Sequence, residues 1–276
     1  MEWMIGAGGS LLIAGAAYWK RALTASGAVA AIVVGTCLFV FGSLLWYGLM
    51  IGFFVSSTLL TKWKKHLKKD AESKYQKSGR RDAGQVIANG GAGTILCLLY
   101  GIYPEASWLT AAYIGVMATV TADTWATEVG GLSRGQPRSI LSWKKVPKGT
   151  SGGVSLLGWT ASAAGGAFIG GLAYILSRLS TPLEQGGLLS DYSLVWIIPL
   201  AALAGWIGAN ADSVLGAAVQ ALYRCPVCGD VVEAKLHCGQ RTELIRGWKW
   251  MDNDAVNMLS SLSGGLVLVL WSLLTG

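Results

Sequence analysis

Apolar positions run almost unbroken through eight stretches of the chain, at roughly residues 3–19, 25–42, 44–61, 83–103, 106–124, 153–177, 194–222 and 254–275. Each is long enough, as a helix, to cross a hydrocarbon layer about 30 Å thick. The expected fold class is therefore all-α, a polytopic membrane helix bundle of about eight transmembrane helices forming a single domain over residues 1–276. The opening stretch lacks a basic n-region and an A-x-A cleavage site, so it reads as a retained helix rather than a signal peptide. Gly27, Ala31 and Gly35 recur every four positions in the second stretch and predict a packing seam.

The polar positions between these stretches are sorted by charge. With the N-terminus outside, the Lys20-Arg21 turn, a basic segment at 62–81, a glycine-rich loop at 125–152 and a loop at 223–253 face the cytoplasm, and together they hold every Lys and Arg except Arg178. The opposite side carries Glu2, Glu105, Glu184 and Asp191. That asymmetry follows the positive-inside rule and predicts an integral protein of the cell membrane with its chemistry toward the cytoplasm. Composition agrees, with 53% hydrophobic and 13% charged residues, 38 glycines for close helix contact and 13 tryptophans suited to the membrane interface. The net charge of +7 then belongs to a cytoplasmic surface and suits anionic headgroups or phosphate-bearing substrates rather than nucleic acid.

Polar residues inside the apolar stretches carry the candidate chemistry, because an ionisable group at membrane depth is costly and functional by default. Ala122-Asp123-Thr124-Trp125-Ala126-Thr127-Glu128 ends the fifth stretch with two carboxylates. Asp123 and Glu128 are five apart and cannot share one face of an unbroken helix, so either the helix breaks after Thr124 or the acids serve different partners. Arg80 and Arg81 precede Asp82, Gln85 and Asn89, a polar stripe at i, i+3 and i+7 that enters the fourth stretch. Lys148-Gly149-Thr150-Ser151-Gly152 leads into the sixth stretch, where exposed amides, a helix dipole and a lysine suit phosphate; no Walker-type pattern is present. The seventh stretch carries Asn210, Asp212, Ser213 and Gln220, with Asp212 between Gly208 and Gly216 on one face. Asp252, Asn253, Asp254 and Asn257 open the last stretch; capping accounts for Asp252 as well as catalysis does.

Cys225, Cys228, His237 and Cys238 place four metal ligands within fourteen residues, the spacing of a zinc knuckle, so a small zinc-bound cytoplasmic loop with structural Zn²⁺ is expected. Cys37 and Cys97 read as small core residues. The other acids and cations together suggest Mg²⁺ with phosphates, since phosphoryl transfer needs charge neutralisation and alignment above all. Apolar grooves between the helices would receive a lipid tail.

Gly79-Arg-Arg-Asp-Ala-Gly-Gln-Val-Ile-Ala-Asn89, Ala122-Asp-Thr-Trp-Ala-Thr-Glu-Val-Gly130, Val146-Pro-Lys-Gly-Thr-Ser-Gly-Gly-Val-Ser155, Asp212-Ser-Val-Leu-Gly216 and Asp252-Asn-Asp-Ala-Val-Asn257 resemble, in the same order, segments of an integral membrane family that includes plant phytyl-phosphate kinase. The resemblance implies a kinase that converts an isoprenyl monophosphate to its diphosphate with CTP or another nucleoside triphosphate. On that footing Asp123, Glu128, Asp212 and Asp254 would be the catalytic acids that hold Mg²⁺ and nucleotide phosphates. Asn89 and Asn257 would orient oxygens, and Arg80, Arg81 and Lys148 would neutralise phosphate charge. A lipid-alcohol kinase or CDP-lipid-forming cytidylyltransferase is the related alternative, and a cation-coupled transporter or lipid-phosphate flippase is the rival from another class.

Overall fold

Eight long helices take up the eight apolar stretches in a computed structural model that describes residues 1–68, 75–77, 79–179 and 194–275. They are α1 (Glu2–Trp19), α2 (Ala25–Cys37), α3 (Leu44–Lys62), α4 (Ala83–Ile102), α5 (Ser107–Gly130), α6 (Leu156–Ser177), α7 (Ile197–Ala218) and α8 (Asn253–Thr275). Residues 69–74 of the basic segment, and Glu184 and Asp191 of the acidic side, lie outside the described residues. Among the described residues, six helices are long and apolar enough to cross a membrane: α2 with the π-turn Leu38–Gly42 that extends it, α3, α4, α6, α7 and α8. Glu2 and several glycines dilute α1, and α5 falls outside the set for a different reason.

That reason is position. Every residue of α5 from Leu109 to Ala122 is buried, because α3, α4, α6, α7 and α8 all pack against it. A helix buried all round meets protein rather than lipid, so it can carry threonines at 110, 119 and 121 without facing hydrocarbon. Small residues make this enclosure close. A Cβ added at Gly115 would lie 2.2 Å from the Gly264 carbonyl oxygen, and one at Gly208 would lie 2.2 Å from the Thr119 side chain. Trp46 of α3 stacks on Tyr113 at 4.3 Å, and the Tyr113 hydroxyl donates to the Trp46 carbonyl at 2.6 Å. Large apolar side chains such as Leu12, Val33, Leu59, Ile95 and Leu270 remain on the outer surface, where a bilayer would cover them.

The expected break after Thr124 is absent: α5 continues through Glu128 to Gly130. Thr124 donates back to the Val120 carbonyl at 3.0 Å within an unbroken helical ladder. The expectation assumed a narrow site facing one side of the helix, whereas the space around this helix end is wide enough to take both acids. Elsewhere the boundaries shift inward. Gly153–Val154 pairs as β2 with β1 (Arg138–Ser139), so α6 starts at Leu156, capped by the Ser155 hydroxyl. Leu222–Arg224 pairs as β3, so α7 stops at Ala218.

Beyond α7 the chain forms a small β module. The strands β3, β4 (Val231–Val232) and β7 (Glu243–Arg246) make one antiparallel sheet, and β5 (Leu236–His237) with β6 (Gln240–Arg241) makes a two-residue ribbon. Gly247 is pressed against the Gln220 carbonyl with φ of 79°, a conformation and a proximity that exclude a side chain. The Ala221 amide donates to Met251 and the Trp248 amide to Val219, which returns the module to the bundle just before α8.

Candidate active site

Six helix ends meet around one cavity of about 280 Å³. They are the C-terminal ends of α3, α5 and α7 and the N-terminal ends of α4, α6 and α8, so all lie at the same end of the bundle. The glycine-rich loop, Lys68 and residues 75–77 of the basic segment, and Glu233 of the β module also line it.

The four candidate acids divide into two kinds. Asp123 and Asp212 lie on α5 and α7 and line the cavity without a lysine or arginine partner among the described residues. Asp212 accepts from the Ser260 hydroxyl at 2.9 Å, and the Asn257 amide, oriented to donate, reaches it at 3.1 Å. The other two acids are each bound to a lysine. Glu128 pairs with Lys68 and accepts from Thr61 at 2.6 Å, while Lys68 also donates to the Leu60 and Thr61 carbonyls. Asp254 pairs with Lys77, which also reaches Asp82 at 3.1 Å. Burial works against charge on Lys77, but Asp254 and Asp82 outweigh it and raise the ammonium above its ordinary value. For Asp82, burial is likewise outweighed by the Gln85 amide and Lys77, so its carboxyl stays below the usual range.

The polar stripe on α4 is placed by local chemistry. Asp82 accepts from the Gln85 amide at 2.9 Å and Gln85 returns to the Asp82 amide, a complete capping box that starts the helix. Gln85 and Asn89 then face the cavity, as does Arg81. The Arg81 guanidinium donates to Thr58 at 3.1 Å and lies 5.7 Å from the rings of Phe53 and Phe54. Burial lowers it from its ordinary value and the Glu128 charge opposes the change. Its backbone is fixed as well, donating to Ala22 and accepting from Thr24 in the turn between α1 and α2.

Lys148 is turned inward and donates to the Ser133 carbonyl, which draws the glycine-rich loop shut. Gly149 and Gly152 take φ of 76° and 77°, and a Cβ on Gly152 would lie 2.4 Å from that of Ala217, so the loop is seated on α7. Lys148, Gly149, Thr150, Ser151 and Gly152 all line the cavity, with Ser213, Gln220, Asn253 and Asn257.

Four sequence candidates do not line the cavity. Arg80 turns back, donating twice to the Leu23 carbonyl at 3.0 and 2.8 Å and covering the Tyr18 ring. Asn210 donates to the Trp206 carbonyl of its own helix at 2.7 Å. Asp82 is used as the cap of α4, and Asp252 likewise caps α8 by accepting from the Ala255 amide at 3.1 Å.

Glu233, Lys68 and Lys77 line the cavity and were not singled out by sequence. Glu233 follows β4, is 8% exposed, and accepts from the Ser151 hydroxyl at 2.7 Å and the Gln76 amide at 3.4 Å. Burial pushes its carboxyl up, and the Ser151 bond partly offsets this. Nothing in its sequence context marks it, since the neighbouring cysteines explain the stretch by themselves.

The ligand atoms of Cys225, Cys228, His237 and Cys238 all lie within 4.8 Å of one another. Ligands about 2.0 to 2.3 Å from one tetrahedral ion sit about 3.3 to 3.8 Å apart, so this cluster can bind a metal such as zinc.

A family model described as "Integral membrane protein DUF92" matches residues 8–265. The chain belongs to that family. Membership makes it an integral membrane protein and bears out, at family level, the resemblance read from the motifs. Protein PGR of Arabidopsis thaliana is 35% identical over 269 residues, covering 92% of this chain and 90% of its own. An uncharacterized membrane protein of Methanocaldococcus jannaschii is 26% identical, covering 91% of this chain and 86% of its own. Protein VTE6, chloroplastic, of Arabidopsis thaliana is 25% identical, covering 94% of this chain and 68% of its own. No solved structure matches the chain.

Proposed function

We propose that this protein is a Mg²⁺-dependent phosphotransferase that moves a phosphoryl group from a nucleoside triphosphate, CTP or another, to an isoprenyl monophosphate. The observation that carries the reading is the mixed lining of one cavity, in which two lysine-free carboxylates, Asp123 and Asp212, stand among Arg81, Lys68, Lys77, Lys148 and a glycine-rich loop. Carboxylates alone would suit cation passage. Cations and loop amides beside them suit phosphates, and the motif likeness to a family that includes phytyl-phosphate kinase points the same way. The location at helix ends rather than at the midplane also favours an enzyme over a transporter.

In this reading a phosphate oxygen of the acceptor attacks the terminal phosphorus of the nucleotide, the new P–O bond forms, and the bridging P–O bond to the nucleoside diphosphate breaks. The acceptor needs no general base, because a phosphate monoester has its second pKa near about 6 and is mostly dianionic at neutral pH. Asp123 and Asp212 offer the hard oxygen donors that Mg²⁺ takes, and the bound ion would neutralise phosphate charge. Ser260 and Asn257 hold the Asp212 carboxylate in place. Lys148 and the loop over 149–152 receive the nucleotide phosphates, while Glu128 and Asp254 keep Lys68 and Lys77 at the rim. Zinc in the cysteine–histidine cluster is structural, and the cavity faces the cytoplasm of the cell membrane with the N-terminus outside. Purified protein given Mg²⁺, labelled CTP or ATP, and phytyl or geranylgeranyl phosphate should form the labelled diphosphate. Absence of transfer with every nucleotide and acceptor would overturn the assignment.

A further inference from the structure

A second, apolar pocket of about 70 Å³ opens between α1, α2, α3 and α4, lined by residues including Val34, Met50, Ile51, Phe53 and Phe54. Arg81, Gln85 and Asn89 line both this pocket and the polar cavity. We propose that the pocket holds the phosphate-proximal segment of the acceptor's prenyl chain and that Arg81 holds the acceptor's phosphate, which assigns the other end of the cavity to the nucleotide. The assignment rests on the phosphotransferase reading above.

The shared residues select the occupant. A molecule that fills both spaces must be apolar at one end and polar where it passes Arg81, Gln85 and Asn89. Gln85 and Asn89 are partly engaged within α4, since Gln85 accepts from Asp82 and its carbonyl receives the Asn89 amide at 3.0 Å. The charge at the junction therefore comes from Arg81. Its guanidinium has five N–H donors, one of them spent on Thr58. It lies 5.7 Å from each of the Phe53 and Phe54 rings, with its backbone tied to the α1–α2 turn. A cation fixed at an apolar–polar boundary recognises an anion carried on an apolar chain, and a forked guanidinium suits phosphate.

Size limits how much of the chain enters. Pockets that enclose a whole drug-sized ligand run to about 300–1,000 Å³, well above this one. Only the segment next to the phosphate fits, and the remainder lies in the bilayer, against outward-facing side chains such as Val29 and Val33 of α2. Acceptors that differ only at the far end of the chain should then be equivalent.

Filling the pocket tests the proposal. Ala31→Leu and Ile51→Trp occupy it without altering a cavity residue, and Leu12→Trp on the exposed face of α1 serves as control. The filling variants should raise KM for geranylgeranyl phosphate about tenfold or more while leaving the nucleotide KM unchanged. A geranylgeranyl phosphate analogue with a diazirine next to the phosphate should crosslink to α2 and α3 in the wild-type protein, and unmodified geranylgeranyl phosphate should compete. If transfer occurs but neither filling variant changes the acceptor KM and crosslinks map elsewhere, the pocket assignment falls and the phosphotransferase stands. If no nucleotide supports transfer yet the pocket is labelled and competed, the phosphotransferase falls and the lipid-phosphate site stands. Should the filling variants unfold, the wild-type crosslink map decides alone, with labelling outside the pocket overturning the proposal.

Discussion

The two walls of the cavity hold their acids in opposite ways. On the α5 and α7 wall, Asp123 and Asp212 project from helices locked together through glycine contacts, such as Gly208 on Thr119, and Asp212 is held by the neutral donors Ser260 and Asn257. At the rim, Glu128 and Asp254 are neutralised by Lys68 and Lys77, residues of a connecting segment rather than of a packed helix. The difference separates two uses of a carboxylate. An acid on a rigid frame without a cation partner keeps its oxygens available for a metal, whereas an acid bound to a lysine is spent on holding a cation in place.

The largest effect should therefore come from the rigid wall. Asp123→Asn and Asp212→Asn should each lower kcat/KM by about a thousandfold or more, the scale of removing one preorganised electrostatic contact, with helical circular dichroism unchanged. Either variant staying within about tenfold of wild type would erase the distinction between the walls.

At the rim the effect should fall on stability before catalysis. Lys68 is 3% exposed, so Lys68→Met leaves Glu128 without its cation and should lower unfolding free energy by about 3 kcal/mol, measured by denaturant titration in detergent. Adding Glu128→Gln should restore part of that loss, because the pair acts as a unit. Strict additivity would mean that the ion pair is incidental.

The smallest effect concerns Glu233, which joins the β module to the glycine-rich loop. Burial raises its carboxyl, so the folded state holds the proton more tightly than the unfolded chain does. The stability linked to that proton is fully present below the ordinary glutamate value of about 4.3 and is lost as pH rises through the raised value. Glu233→Gln keeps an acceptor for Ser151 and removes the titration. Its melting temperature should match wild type near pH 4 and exceed it at pH 8, a divergence measurable by scanning fluorimetry. A constant offset at all pH values would show that Glu233 is not charged by the titration supposed here.

Length and polarity made the eight helices legible, and charge asymmetry gathered most of the acids at one end, because both signals are local in sequence. What sequence could not show was enclosure. For Asp123 and Glu128 sequence left a helix break or separate partners open, since only the surrounding helices determine how wide the space at that end is. Lysines 68 and 77 were hidden among like residues in a basic stretch where each has the same local context. Arg80 and Arg81 are neighbours of the same type, yet one is folded onto Leu23 and Tyr18 and the other reaches the cavity; the turn between α1 and α2, distant in sequence, decides between them. The cysteine–histidine cluster was legible from spacing, but the reach of Glu233 into the cavity depends on how β4 is paired.

The clasp between Arg81 and that turn bears on how the chain can be shortened. Helices α1 and α2 carry no acid near the cavity, and by motif content they look dispensable. Yet Gly27 leaves no room for a Cβ, which would lie 2.2 Å from the Arg81 carbonyl oxygen, and both backbone hydrogen bonds that hold Arg81 come from residues 22 and 24. The first hairpin is the socket of a residue some sixty positions later in the chain. A minimal version of this protein drawn from its motifs alone would begin too late, because it would retain the arginine and discard what aims it.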